Sequence, residues 1–149
     1  DEYQKNVIAN AKSFARSLKA AGLDVAGDPA ISYTETHQVI VKTGYGTGPE
    51  VAERLEENNV VVNYQATPEE EGFTASGALR LGVSEMTRFG FGPKEFEQLA
   101  NLMADCILRN KPIAAEVAKL RAGYTTLGYC FSDEAVNTAL DALATTSGM

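Results

Sequence analysis

Histidine occurs once in the 149 residues, at His37, and cysteine only twice, at Cys106 and Cys130. Two distant cysteines make no disulfide framework. In helix-like and aromatic surroundings they read as reduced, buried thiols, as a cytoplasmic protein keeps them. With a single histidine they give no recognised metal-ligand spacing. A Cys–His or Ser–His pair is possible in principle, but neither a nucleophile elbow nor a local cysteine signature accompanies it. A lone histidine beside a strand reads instead as a hydrogen-bonded structural residue. Basic charge is scarce too: 13 Lys and Arg stand against 20 Asp and Glu, for a net charge of −7. The basic residues form no cluster, which argues against nucleic acid and against an anionic membrane surface. No apolar run approaches the roughly 20 residues of a membrane span, and no signal peptide is visible.

What is present is the periodicity of a folded domain. Hydrophobic residues make up 44% of the chain, enough for one domain with a real core. The chain opens at Asp1 without an initiator Met and enters a helix pattern at once, as expected of a piece cut from a longer polypeptide. Tyr3, Val7, Ile8, Ala11, Phe14, Ala15 and Leu18 share one face at 3.6 spacing, predicting a helix over 2–21 that Gly22 stops. Residues 38–43 are β-branched and predict a strand. A glycine-rich loop follows at 44–48, and Pro49 starts a helix to about residue 58. Residues 59–63 and 78–83 read as two more strands, with an acidic loop at 64–72 between them. Pro93 opens a helix faced by Phe96, Leu99, Ala100, Met103, Ile107 and Leu108, which Pro112 breaks. Helices are predicted over 113–122 and over 132–145, the last with a Ser-Asp-Glu start that suits its cap and dipole. Strands and helices are mixed without a βαβ run. The expected class is therefore α+β, a small, mostly antiparallel sheet of about three strands covered by helices.

The most informative stretch is 74–90, from Thr74 to Gly90. It sets Arg80 in a short apolar run between Gly77 and Gly82, with a second arginine, Arg88, beyond. Arginine is costly to bury unless an anion meets it, and its planar fork suits a carboxylate bidentately. Arg80 is therefore either the anchor of a carboxylate ligand or a surface residue paired with a nearby Glu. Glu69-Glu70-Glu71 read as a solvated acidic loop. Gly44, Gly46 and Gly48 before a helix hint at a phosphate cradle, but the Walker lysine is missing. One plausible ligand contact without a complete catalytic apparatus is what half of a shared site looks like.

Short words in a fixed order carry a resemblance. The run from Tyr3 to Lys12 contains YQ, Val7 and Asn10-Ala11-Lys12; Thr34-Glu35-Thr36-His37 enters the first strand; Gly48 and residues 50–55 follow. Val60-Val61-Val62-Asn63-Tyr64-Gln65-Ala66-Thr67-Pro68, then Ser76-Gly77-Ala78-Leu79-Arg80-Leu81-Gly82, then Thr87-Arg88-Phe89-Gly90-Phe91 complete the set. In this order they resemble the C-terminal domain of serine hydroxymethyltransferase, a fold-type I pyridoxal-phosphate enzyme, over most of the chain. The resemblance implies residues 1–130 as the small domain of that architecture; residues 131–149, which it does not reach, read as an extra C-terminal helix of the same domain. It implies that Arg80, with Ser76, binds the α-carboxylate of an amino-acid substrate held on pyridoxal phosphate, directing a chosen Cα bond toward the electron sink. It implies that Gln65 and Asn63, with Pro68 shaping the loop, line the acceptor pocket, where tetrahydrofolate is possible. His37 is given a structural or second-layer part. Between Ser76 and Arg80 the chain has one residue more than the family's usual spacing, which makes a bulge or turns the side chain over. Glutamine stands at 65 where the family has asparagine.

Further expectations follow from the resemblance. The Schiff-base lysine belongs to a large N-terminal domain, and none of the seven lysines here has its context. The isolated chain should neither hold the cofactor tightly nor turn over, and should expose apolar surface where the large domain docks. Active sites at subunit interfaces make the whole protein a homodimer, in the cytoplasm, working in one-carbon and amino-acid metabolism as a serine/glycine hydroxymethyltransferase. The alternatives are a folate-independent aldolase or transaldolase on β-hydroxy amino acids and a non-catalytic amino-acid-binding or interaction module. A free-standing hydrolase is more distant, since it needs a nucleophile–base pair.

Overall fold

The computed structural model describes residues 1–67, 69 and 75–146. Pro68, Glu70, Glu71 and Thr74, singled out above, lie outside the described residues. Helix α1, Glu2–Ala20, starts with a capping box: Asp1 accepts the Gln4 backbone N–H, and the Gln4 side chain reaches back. Its stripe buries Val7, Ala11, Phe14, Ala15 and Leu18. The sheet takes strands β1, Asp24–Val25; β2, Gln38–Lys42; β3, Asn63–Gln65; and β4, Ala78–Gly82. Their order across the sheet is β1-β2-β4-β3, and every pair is antiparallel. Helix α2, Gly48–Glu57, lies between β2 and β3; α3, Ser84–Arg88, and α4, Pro93–Arg109, follow β4; α5, Ala114–Ala122, and α6, Asp133–Thr146, end the chain.

Alternation decides the layers. Val39 and Val41 of β2 and Leu79 and Leu81 of β4 turn inward and are buried. Helices α1 and α2 lie against the sheet, and α4 packs on both of them. The contact of α1 with α4 is aromatic: Phe14 lies 5.1 Å from Phe96, which meets Phe91 edge-on at 5.5 Å. The opposite face carries no helix among the described residues and stays open. The class is α+β, with a small antiparallel sheet, as predicted.

Three elements differ from the expectation. The sheet has a fourth strand, β1, whose two residues are too few to leave a pattern. The strand predicted over 59–63 begins only at Asn63. The cause is the end of α2: Asn59 takes a left-handed φ of 66°, and the Asn59 and Val60 N–H groups close on the Glu56 and Leu55 carbonyls. This is the Schellman pattern, with Val60 packed in the core beside Leu55. The valines were read as strand formers, but the first of them serves a helix end. The third difference is α3, a five-residue helix no periodicity can announce, in which the Thr87 hydroxyl donates to the Val83 carbonyl at 2.8 Å.

A strap over residues 124–130 ties α5 back to the body. Tyr124 stands edge-on to Phe91 at 4.9 Å, and Tyr129 lies 5.0 Å from the ring of Tyr3. The Gly128 N–H donates to the Arg88 carbonyl at 2.6 Å. Beyond the strap, Phe131 and the Val136, Leu140 and Leu143 stripe of α6 are exposed. Cys106 is buried as expected, whereas Cys130, at the end of the surface strap, is exposed.

The strap carries a pH dependence. The Tyr124 hydroxyl donates to Glu95 Oε1 at 2.7 Å, while Glu95 Oε2 accepts the Gly92 N–H at the start of α4. The hydroxyl, and next the Gly92 N–H, hold the Glu95 carboxyl below its usual range against the opposing effect of burial. A depressed carboxyl stabilises the fold above its unfolded value, and that contribution is lost as pH falls through the lower folded value. The stability gap between wild type and Tyr124→Phe, measured by urea unfolding, is therefore expected to be full at pH 7 and to shrink on acidification below the ordinary carboxylate range. A gap unchanged down to pH 3 would mean that the pair contributes nothing through ionisation.

Candidate functional site on the open sheet face

Register builds the site. Arg80 sits directly across from Ile40 on one side and Asn63 on the other, in an unbroken ladder. Opposed residues share a face with their Cβ atoms about 5 Å apart. Leu79 and Leu81 claim the core, so Arg80 is turned to the open face without a bulge in the paired run. There it is exposed, and its guanidinium has no hydrogen-bond or ion-pair partner among the described residues. No Glu among the described residues pairs with it.

Gln65, two residues along β3 from Asn63, is opposed to Ala78 and so faces the same way. The imidazole of His37 lies near the far end of β4, where a Cβ on Gly82 would meet it at 4.0 Å. The His37 ring has no hydrogen-bond partner among the described residues; its backbone carbonyl accepts the Val83 N–H at 3.1 Å. The structure thus brings Arg80, Asn63 and Gln65 onto one face, while His37, at the entry to β2, lines a cleft with Tyr3, Gln4, Val7 and Ile8 of α1. Ser76 is apart from them. It lies four residues before Arg80, roughly 13 Å at strand spacing, and its carbonyl accepts the Gly48 N–H at 2.7 Å.

Two residues of this face were missed in the sequence, Ile40 and Lys42. The signal was present: with Val39 and Val41 inward, period two sends Ile40 and Lys42 outward beside Arg80. Lys42 holds Glu69 at 3.0 Å, and this contact, chiefly the lysine hydrogen bond, keeps the Glu69 carboxyl below its usual range. The donor set is therefore a guanidinium unpaired among the described residues, with the Asn63 and Gln65 amides on its β3 side and the aliphatic Ile40 on its β2 side. It fits the carboxylate end of a small ligand. A cofactor's phosphate finds no second unpaired cation among the described residues of this face.

The other sequence candidates resolve structurally. The Gly48 N–H that a phosphate would need is bonded to Ser76, and a Cβ at Gly48 would stand 2.4 Å from that carbonyl oxygen. Burial pushes the Cys106 thiol up, away from thiolate chemistry. No group of three or more His, Cys, Asp or Glu able to hold a metal occurs among the described residues. No helix among them is long and apolar enough to cross a membrane.

Comparison with known proteins bears on this geometry. The serine hydroxymethyltransferase family model matches residues 1–103. The serine hydroxymethyltransferase of Pyrobaculum arsenaticum is 37% identical over 133 residues, covering 87% of this chain and 31% of its own length. That of Korarchaeum cryptofilum is 34% identical over 141 residues, covering 89% and 32%. Among solved structures, the L-threonine transaldolase of Pseudomonas fluorescens, in its internal aldimine state, superposes with a TM-score of 0.78 at 25% identity, over 94% of this chain and 33% of the other. The chain thus spans about a third of the length of the curated relatives it matches.

Proposed function

The chain belongs to the serine hydroxymethyltransferase family, and from that premise we propose that it is the small domain of a pyridoxal-phosphate-dependent, serine hydroxymethyltransferase-like enzyme. The single observation that carries the reading is the Arg80 guanidinium, unpaired among the described residues and presented between Ile40 and Asn63 on the open sheet face. In this reading Arg80 takes the α-carboxylate of serine or glycine bidentately and so fixes the rotation of the substrate. Pyridoxal phosphate, when bound, supplies an electron sink for the Cα bond that this orientation selects. Asn63 and Gln65 extend from Arg80 toward the acceptor and offer amide donors and acceptors to it. Ile40 keeps the other flank of the guanidinium apolar, which strengthens its hold on a carboxylate by limiting water. His37, at the entry to β2, is a positioning residue. Ser76, at the α2 end of the strand, supports the backbone there. The cofactor-anchoring lysine and the phosphate contacts belong, in this proposal, to a large domain outside these residues, and the whole enzyme is a cytoplasmic homodimer.

A second reading, a transaldolase or aldolase on β-hydroxy amino acids that uses an aldehyde and not folate, is favoured by two observations. They are Gln65 in place of the family's asparagine and the likeness to the Pseudomonas fluorescens transaldolase. Serine turnover by the full-length protein, assayed with and without tetrahydrofolate, separates the two. Turnover that requires tetrahydrofolate supports the hydroxymethyltransferase. Turnover indifferent to it, but dependent on an added aldehyde, selects the transaldolase. A full-length protein that takes up no pyridoxal phosphate would overturn both readings in favour of a binding module.

A further inference from the structure

A second concave site lies between α1, the turn from α3 into α4, and the 124–130 strap, with a volume of about 340 Å³. Two polar side chains define it. Asn10 is 5% exposed, yet it lines the cleft. Both hydrogens of its amide are committed, to Thr87 Oγ1 at 3.0 Å and to the Phe91 carbonyl at 2.9 Å. These bonds fix the amide, and its Oδ1 is left without a donor among the described residues. No fully enclosed side-chain oxygen lacks a partner among the described residues, so this acceptor opens on the cleft. Arg88 also lines the cleft, and its guanidinium's single hydrogen-bond partner among the described residues is Cys130 Sγ at 3.5 Å. No carboxylate lines the cleft among those residues.

A buried, oriented acceptor in one cleft with an arginine, without a carboxylate, is a pair of opposite demands. A hydrogen-bond donor meets the first and an anion the second. We infer that this cleft binds a small free α-amino acid, its ammonium donating to Asn10 Oδ1 and its carboxylate accepting from Arg88, with Phe91 as the apolar wall. The volume suits such a ligand. The site is built from α1 and the α3–α4 turn and owes nothing to the sheet face, so the inference does not rest on the role given to Arg80. Occupancy would hold the strap against α1, because Tyr129 lines the same cleft and its hydroxyl accepts from Asn6 at 2.7 Å.

Titration calorimetry of the full-length protein tests it, with glycine as the probe. The Arg80→Ala background weakens glycine binding at the sheet face. In that background one saturable glycine site is expected to remain, and Arg88→Gln is expected to weaken it about tenfold or more. Arg88→Gln is preferred to any change at Asn10, which would break two buried hydrogen bonds. A thermal melt matching the parent's establishes that the variant is folded. Acetate, which lacks the ammonium, is expected to bind at least about tenfold more weakly than glycine. No saturable glycine site up to roughly 50 mM, a site indifferent to Arg88→Gln, or acetate binding as tightly as glycine would each overturn the assignment.

Discussion

Arg80→Ala in the full-length protein is expected to raise the dissociation constant for glycine or serine by roughly 10- to 150-fold, the worth of a charge-assisted hydrogen-bonded contact of about 1.5–3 kcal/mol. The position tolerates the change: Arg80 faces the open side of β4 and holds no partner among the described residues, so removing it breaks nothing that folds the chain. Substrate titration followed by the visible absorbance of the bound cofactor reads the effect. A matching melt separates lost binding from lost structure. Lysine at the same position is expected to recover only part of the affinity, because an ammonium cannot reproduce the planar fork. An unchanged dissociation constant would remove Arg80 from the carboxylate contact.

A large effect on stability is expected of Gly48→Ala. A Cβ there meets the Ser76 carbonyl oxygen at 2.4 Å, the Ala78 carbonyl oxygen at 3.1 Å and the Tyr64 Cβ at 3.1 Å. Two of these are backbone atoms of the segment leading into β4, held by sheet pairing, so neither can step aside cheaply. Overpacking against fixed backbone costs about 3 kcal/mol or more, which lowers the unfolding midpoint by roughly 10 °C. Gly46→Ala is the control. It has open space around it but a φ of +72°, so only the left-handed conformation is penalised, at about 1–2 kcal/mol. Equal losses at the two positions would mean that the contact of α2 with β4 is looser than these distances state.

How legible all this was in the sequence depends on the range of the interaction that decides each element. Helices α1 and α4 were readable because their stripes repeat over four turns or more, and β2 because its run is β-branched. Strand β3 was misplaced because β-branched propensity says nothing about a helix end, and Asn59 in a left-handed turn spends Val60 on α2. Arg80 could be named from its neighbours. Its direction could not, because the extra residue before it leaves two outcomes that only the register with Ile40 and Asn63 decides. Ser76 looked near Arg80 in a short word, yet extended backbone carries it away. The cleft was not readable at all, since Asn10 and Thr87 become neighbours only through the packing of α1 on the α3–α4 turn.

That same packing sets a clock during synthesis. Asn10 meets the Phe91 carbonyl across 81 residues of chain, and the α1 face of Val7, Phe14 and Leu18 has its cover in α4. At about 5–20 residues per second, α1 waits roughly 4–16 s between leaving the ribosome and the arrival of its partner. For those seconds an amphipathic helix is left with its apolar stripe in water, long enough for chaperone capture or for sticking to another nascent chain. Slowing translation between β4 and α4 should therefore reduce soluble yield more than the same delay placed after α5.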